Sequence, residues 1–256
     1  MFFALRPREA TLSDLNEHLI DCYRFVRDDH REVHSCLLRF ARRDSEALYY
    51  RVRSEYNESV PCSSQAARFI FLNHTCFNGI FRVNRYGKFN VPYGFKTRPN
   101  FPTADDLAKV SIALRKASLV AGDYEKVLLE ADRGDFIYLD PPYPPLNGTS
   151  NFTRYTPLRF PPPEQDRLAG VVQRLNARGC RVMITNADTA EVRSLYRGFL
   201  FLPIEVTRFV TYKSIKHRVS ELVITNYDPR SPRWSLLGQG AGLARPRPSG
   251  GKTRSR

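Results

Sequence analysis

The chain predicts an α/β fold: a mainly parallel sheet, with a helical block carrying a β-hairpin inserted near its start. Three observations predict it. Short apolar runs rich in strand formers alternate with stretches of helical periodicity, the pattern of βαβ units and a parallel sheet. A block of helical spacing, ended by Gly79, follows the first such run and precedes a glycine-centred turn between two β-rich arms. The run Phe136-Ile137-Tyr138-Leu139 ends abruptly in Asp140-Pro141-Pro142-Tyr143.

That strand end carries the chemistry. Proline cannot donate to a ladder, so the strand stops there and presents Asp140 and Tyr143 at its rim. In an open α/β sheet, ligands bind outside the carboxyl ends of the strands. A carboxylate, a prolyl carbonyl and a flat ring suit a flat, amine-bearing substrate. By itself, Pro-Pro after a strand also reads as a plain stop signal.

The elements follow in order. Arg8 to Asn16 reads as a short strand ending at Asp14. Leu19, Ile20, Tyr23 and Val26, then Leu37, Leu38 and Phe40, recur at helical spacing, giving two helices broken near Asp28-Asp29. Ala47 to Tyr56 and Gln65 to His74 read as further helices. Ile80 to Asn84 and Lys88 to Gly94 form the hairpin around Arg85-Tyr86-Gly87. Arg82, Arg85 and Lys88 lie among Phe81, Tyr86, Phe89 and Tyr93, which suits a groove reader and equally an ordinary solvated hairpin.

Thr103 to Lys116 is helical, Ser118 to Asp123 a strand, and a short helix runs through Val127-Leu128-Leu129 before the Asp140 strand. Glu164 to Arg178 is an amphipathic helix closed by Gly179. Cys180 to Asn186 is a strand, Ala190 to Arg197 a helix, and Leu202 to Phe209 and Glu221 to Asn226 are strands. The last two face each other across a basic turn (Lys213, Lys216, His217, Arg218), so one is antiparallel.

Composition narrows the class. At 256 residues the chain can bury one large or two modest domains, and 42% hydrophobic content excludes wholesale disorder. No apolar run approaches membrane-spanning length, and Met1-Phe2-Phe3-Ala4-Leu5-Arg6 is too soon charged for a signal peptide. A cytoplasmic location is expected. Five cysteines with no Cys-x-x-Cys spacing read as reduced thiols. His30, His34 and Cys36 read as helix surface residues rather than metal ligands, and no metal is expected. Six Arg and one Lys beyond Pro229, with no acid, supply +7 of the +14 net charge, so residues 229–256 read as a disordered basic tail. The remaining +7 is compatible with DNA binding.

Taken together, the motifs resemble the DNA adenine-N6 methyltransferases of the Dam type, the class with Asp-Pro-Pro-Tyr as its catalytic motif. The resemblance rests on Asp140 to Tyr143, Leu72 to Gly79, Gly87 to Gly94 and Asn151 to Tyr155, and on Ser13 to Asn16, Gly122 to Tyr124 and Ser220 to Leu222. It covers Met1 to about Tyr227. It implies a Rossmann-like S-adenosylmethionine methyltransferase sheet, residues 1–25 and 117–228, with an inserted helical target-recognition domain, residues 26–116. It also implies S-adenosylmethionine as methyl donor and double-stranded DNA as partner. A monomer is expected.

By the same resemblance, Asp140 and the Pro141 carbonyl accept hydrogen bonds from the N6 amine of a flipped adenine, next to Pro142, and Tyr143 stacks on the base. Asp14 matches the acid on the donor ribose, and Asp123, with Tyr124 beside it, the acid near the donor adenine. Asp14 also reads as an N-cap for the following helix. Phe77 and Asn78 support the duplex where the adenine leaves, while Ile80, Arg82 and Pro92 read base edges, with GATC as the expected site. Asn151 to Tyr155 form a loop over the pocket.

One feature of the family is absent. A Gly-rich Pro-Phe-x-Gly-x-Gly loop precedes the Asp14 strand in this class, whereas here Met1 to Pro7 matches the helix just after it. The expectation is a working adenine methyltransferase whose start is assigned too late or, alternatively, a truncated, catalytically inactive DNA-binding remnant. Restriction-linked, solitary and phage-borne members of the family are not separated by these residues.

Overall fold

The computed structural model describes residues 1–42, 44–144, 160–209 and 216–231. The centre of the basic turn, the loop Asn151 to Tyr155 and most of the tail lie outside them. The described chain forms two compact units, residues 1–131 and residues from 132 onward.

The first unit runs α1 (Phe2–Leu5), β1 (Ala10–Asp14), α2 (Glu17–Ala41), α3 (Glu46–Tyr56), α4 (Ser63–Thr75), a 3-10 turn (Phe77–Gly79), α5 (Ala104–Leu114), β2 (Ala117–Ala121) and α6 (Tyr124–Leu128). Strands β1 and β2 are parallel in the register Ala10↔Ala117 to Asp14↔Ala121, so both chains leave the pair at the same end. Ile20 of α2 packs with Leu114, Ala117 and Leu119 against this pair, and the Arg24 guanidinium donates to the Leu119 carbonyl at 2.9 Å. The other face of α2 buries Cys22, Val26, Val33 and Leu37 in a larger core with Tyr49, Val52, Phe71 and Leu72. Each such side chain contributes about 1.5–3 kcal/mol by leaving water.

The break expected near Asp28-Asp29 is a kink within one helix, with Asp29 at φ −146, ψ 53. Its carboxylate accepts from the Glu32 amide at 3.4 Å, restarting the helix as a local cap would. Cys36 corrects an expectation: it lies in the core, not on the helix surface, and its thiol donates to Glu32 Oε1 at 3.2 Å.

The hairpin also differs from expectation. The chain does turn back at Asn84 to Gly87, where Asn84 Oδ1 accepts from the Tyr86 and Lys88 amides and Gly87 supplies φ +74. Between its arms there is a single isolated bridge, Val83 with Phe89, rather than a ladder. The reason is a competing partner. Tyr49, Arg53 and Asn57 lie four residues apart along α3 and at its C-cap, and so share one stripe. Tyr49 and Arg53 donate to the Val91 carbonyl at 2.8 and 3.0 Å, and Asn57 brackets Phe89 with bonds of 2.7 and 3.0 Å. The second arm bonds to helical side chains in place of a strand.

The second unit contains β3 (Phe136–Leu139), α7 (Pro162–Arg178), β4 (Arg181–Ala187), α8 (Ala190–Leu195), β5 (Leu200–Phe209) and β6 (Lys216–Thr225). Its sheet order is β3-β4-β6-β5, with β3 parallel to β4 and β6 antiparallel to both neighbours. Helix α7 starts with proline in its first turn and ends at Gly179 in the left-handed region, burying Leu168, Val172 and Leu175. Asn226 ties the end of β6 to this layer. It accepts from the Val182 amide and donates to the Cys180 carbonyl and Asn176 Oδ1, each at 2.8 Å. Among the described residues, β1 pairs only with β2 and β3 only with β4.

Two stability tests follow from these bonds. Asn226 is 1% exposed, so Asn226→Ala should strand buried polar groups and cost about 3 kcal/mol, read as a lower urea midpoint. Asn57→Ala should release the Phe89 amide, seen as faster hydrogen exchange there by about 2 kcal/mol, with core amides of the second unit unchanged.

Candidate active site

In the second unit, the site begins where β3 stops. The β3–β4 register runs Phe136↔Arg181 to Leu139↔Ile184, and one further step sets Asp140 beside Thr185. The Thr185 hydroxyl donates to Asp140 Oδ1 at 2.7 Å, and the Tyr138 hydroxyl lies 3.2 Å from Thr185 Oγ1. Residues two apart on a strand share a face, so Tyr138 and Asp140 rise on the side of β3 away from buried Ile137. Among the described residues, no bond occupies Asp140 Oδ2 or the Pro141 carbonyl.

The loop beyond is pinned from two sides. Gln165 of α7 donates to the Pro142 carbonyl at 3.1 Å, and the Tyr143 hydroxyl donates to Glu221 Oε2 at 3.4 Å. Partial burial raises the Tyr143 phenol above its ordinary range, a hydrogen bond with Thr185 opposes that rise, and the Asp140 and Glu221 charges add to it. Next to this rim, Arg193 and Ser220 hold Asp188, and the Arg193 bond keeps the Asp188 carboxyl below the usual range. The result is an exposed carboxylate, an open carbonyl and an aromatic ring on one short loop.

In the first unit, the parallel pair delivers Asp14 and Asp123 to its carboxyl end. Gly122 donates to the Asp14 carbonyl at 3.0 Å, which joins the two exits. Asp14 Oδ1 accepts from the Asn16 amide at 2.7 Å. Asp14 is therefore not the N-cap of α2; Asn16 holds that position, without a side-chain bond. Asp123 caps α6 by accepting from the Glu125 amide at 2.9 Å, and Tyr124 opens that helix. A cavity of about 190 Å³ beside α2 is lined by His18, Asp21, Phe25, Tyr56 and Gln65, and not by Asp14 or Asp123.

The five residues expected at DNA form a neighbourhood in the same unit. Phe77 donates its amide to the Pro92 carbonyl at 2.9 Å, bringing the 3-10 turn against the second arm of the ribbon. Gly94 is required beside it, because a Cβ there would sit 2.5 Å from the Cys76 carbonyl oxygen. Asn78 holds φ 55, a left-handed value that asparagine tolerates. Phe77 and Ile80 are 43% and 47% exposed, large apolar side chains left at the surface. Arg82 is held from the opposite arm: Nε donates to Asn90 Oδ1 at 2.8 Å and Nη2 to the Asn90 carbonyl at 3.4 Å.

Several of these contacts escaped sequence reasoning. Thr185 and Gln165 carry no motif of their own, and Asn90, though inside the Gly87 to Gly94 motif, has no role there that sequence reveals; each matters through a bond to a residue 45, 23 or 8 positions away. Among the described residues, no group of three or more His, Cys, Asp or Glu could hold a metal ion, and no helix is long and apolar enough to cross a membrane.

Comparison with known proteins identifies the family. Residues 1–210 match the family of D12 class N6 adenine-specific DNA methyltransferases. The chain is 37% identical over 243 residues to the Type II methyltransferase M.MjaIII of Methanocaldococcus jannaschii, covering 89% of this chain and 84% of that protein. It is 30% identical over 216 residues to a DNA adenine methylase of Vibrio cholerae, covering 83% and 78%. It is 36% identical over 225 residues to the DNA N-6-adenine-methyltransferase of Escherichia phage P1, covering 85% of this chain and 29% of that one. A solved structure titled precorrin 8W decarboxylase, from Methanobacterium thermoautotrophicum, aligns with a TM-score of 0.23 and 13% identity over 48% of this chain and 64% of the other, too little to bear on fold or function. A motif-bearing strand end with its carboxylate open, on a chain matched from residue 1 to 210, leads to one assignment: the protein belongs to the D12 class of N6 adenine-specific DNA methyltransferases.

Proposed function

We propose that the protein transfers a methyl group from S-adenosylmethionine to N6 of an adenine flipped out of duplex DNA, at GATC. The observation that carries this is the end of β3, where Asp140 keeps Oδ2 open beside the Pro141 carbonyl and the Tyr143 ring. Two acceptors match the two protons of an exocyclic amine. Accepting both draws the nitrogen lone pair out of conjugation with the ring and leaves it able to attack. The new N–C bond forms as the donor's S–C bond breaks, the sulfonium becomes a thioether, and the surplus N6 proton passes by way of its acceptor, Asp140 Oδ2, to solvent. Tyr143 would stack on the base that has left the duplex, repaying part of its unstacking cost. Positioning and charge complementarity account for the step without a covalent intermediate.

The donor supplies an electrophilic methyl group. Asp14 and Asp123 fit its hydroxyls and adenine chemically, as acids at the carboxyl end of a parallel strand pair. Asp14 spends one oxygen on Asn16, and no bond among the described residues occupies the other. Tyr124 would pack beside the donor. Pro142 has its carbonyl taken by Gln165, which favours Pro141 as the working acceptor.

Residues 26–116 would act as the target-recognition region. Phe77 and Asn78 would support the gap left by the adenine, with Ile80, Arg82 and Pro92 at base edges. Arginine to guanine is the commonest specific contact in the major groove. A monomer acting in the cytoplasm completes this reading.

The test is transfer of labelled methyl to an unmethylated GATC duplex, against a scrambled duplex of the same composition. Asp140→Ala should lower transfer by at least about 10³-fold while duplex binding stays within a few-fold. Arg82→Ala should cost about 1–3 kcal/mol of discrimination at one guanine, measured as the ratio of kcat/KM on GATC and on singly substituted sites. Duplex binding by the unaltered chain with no transfer would instead support a non-catalytic DNA-binding remnant.

A further inference from the structure

We propose that Thr185 is a positioning residue for methyl transfer, holding the Asp140 carboxylate in the rotamer that turns Oδ2 toward the N6 amine. This rests on the reading of Asp140 given above and adds a residue to its machinery.

Hydrogen accounting fixes the direction of the chain of contacts. An ionised carboxylate only accepts, so in the 2.7 Å contact with Asp140 Oδ1 the Thr185 hydroxyl is the donor, and the Tyr143 phenol oxygen competes with that carboxylate for the same proton. Thr185 Oγ1 must then act as acceptor toward Tyr138, whose hydroxyl donates across 3.2 Å. The order is Tyr138 to Thr185 to Asp140. Each link is built on regular structure. Tyr138 is the third residue of β3, Thr185 the fifth residue of β4, and their strands are locked in parallel register.

The choice of threonine matters. Asp140 is solvent-exposed and follows the last residue of its strand, so nothing in the ladder restricts its side-chain torsions. A β-branched neighbour is stiff at χ1, so its hydroxyl is already aimed at the carboxylate. Engaging Oδ1 leaves Oδ2 as the outward acceptor, beside the Pro141 carbonyl. Without this bond the carboxylate would sample several rotamers, and the two acceptors would coincide on the amine only part of the time. Misplacement on the scale of 1 Å costs about 10²-fold in such steps. Bonds to a charged partner are also worth more than neutral ones.

The experiment compares Thr185→Val, Thr185→Ser, Tyr138→Phe and Asp140→Ala in the full chain, with steady-state transfer to GATC duplex and with donor and duplex affinities measured separately. Valine keeps the shape and removes the hydroxyl. Thr185→Val should lower kcat about 10–100-fold, with KM for duplex and the affinity for donor unchanged within about 3-fold. Serine restores the donor without the stiffness, so Thr185→Ser should recover kcat to within about 5-fold of the unaltered chain. Tyr138→Phe removes only the outer donor and should lower kcat several-fold.

Thr185→Val with unaltered kcat, while Asp140→Ala abolishes transfer, would overturn the positioning role and leave the catalytic reading intact. Transfer surviving in Asp140→Ala would overturn the catalytic reading itself. A loss in Thr185→Val that serine fails to restore would mark a packing defect, and so would also overturn the proposal. Tyr138 is 40% exposed, so Tyr138→Phe remains a sound test if the valine variant does not fold.

Discussion

Pro141 and Pro142 remove two consecutive ladder donors, and that loss stops β3 at Leu139 and sets Asp140 on its rim. Every other feature of the rim depends on where this stop falls. The parallel register then brings β4 alongside, so that Thr185 meets the carboxylate at the first position beyond the paired residues. Gln165 and Glu221 hold Pro142 and Tyr143 further along, through a carbonyl and a phenol. A stop one residue earlier would place a different side chain beside Thr185 and turn the acid to the opposite face, since strand side chains alternate.

The first unit solves a different problem, presenting a polar, exposed ribbon without a sheet to carry it. A two-stranded hairpin alone is marginal in water. Here the second arm is bonded to a stripe of α3, and its Phe89 and Val91 side chains are buried in the helical core. The first arm is thereby free to offer Arg82, whose guanidinium is steadied by Asn90. Phe77, Asn78 and Pro92 meet beside it because Gly94 lets the two backbones approach. The residues proposed to read DNA are thus fixed by the helical core rather than by their own local structure.

Much of this was legible beforehand, and the reasons are local. The helices of the first unit and α7 announce themselves by periodicity, and the kink at Asp29 by two adjacent acids. The strand before Asp140 is marked by its prolines. The ribbon is legible as a turn from Gly87, but neither the part Asn84 plays in that turn nor the bonding of the second arm to α3 is. Its partners Tyr49, Arg53 and Asn57 lie more than 30 residues away and look like ordinary helix residues. Cys36, read together with His30 and His34 as a surface residue, instead has its own face turned inward with Val33 and Leu37.

The sequence by itself determined the order of elements, the strand that ends in an acid between an apolar run and two prolines, and the residue types available for chemistry on an amine. These are properties of short segments, governed by backbone sterics and side-chain pattern. The tertiary structure alone decided the register of β3 on β4, the anchoring of the ribbon on α3 and the bonds that hold Asp140, Tyr143 and Arg82 in place. Those are contacts between segments far apart in the chain, and no local propensity specifies which donor will stand opposite which acceptor.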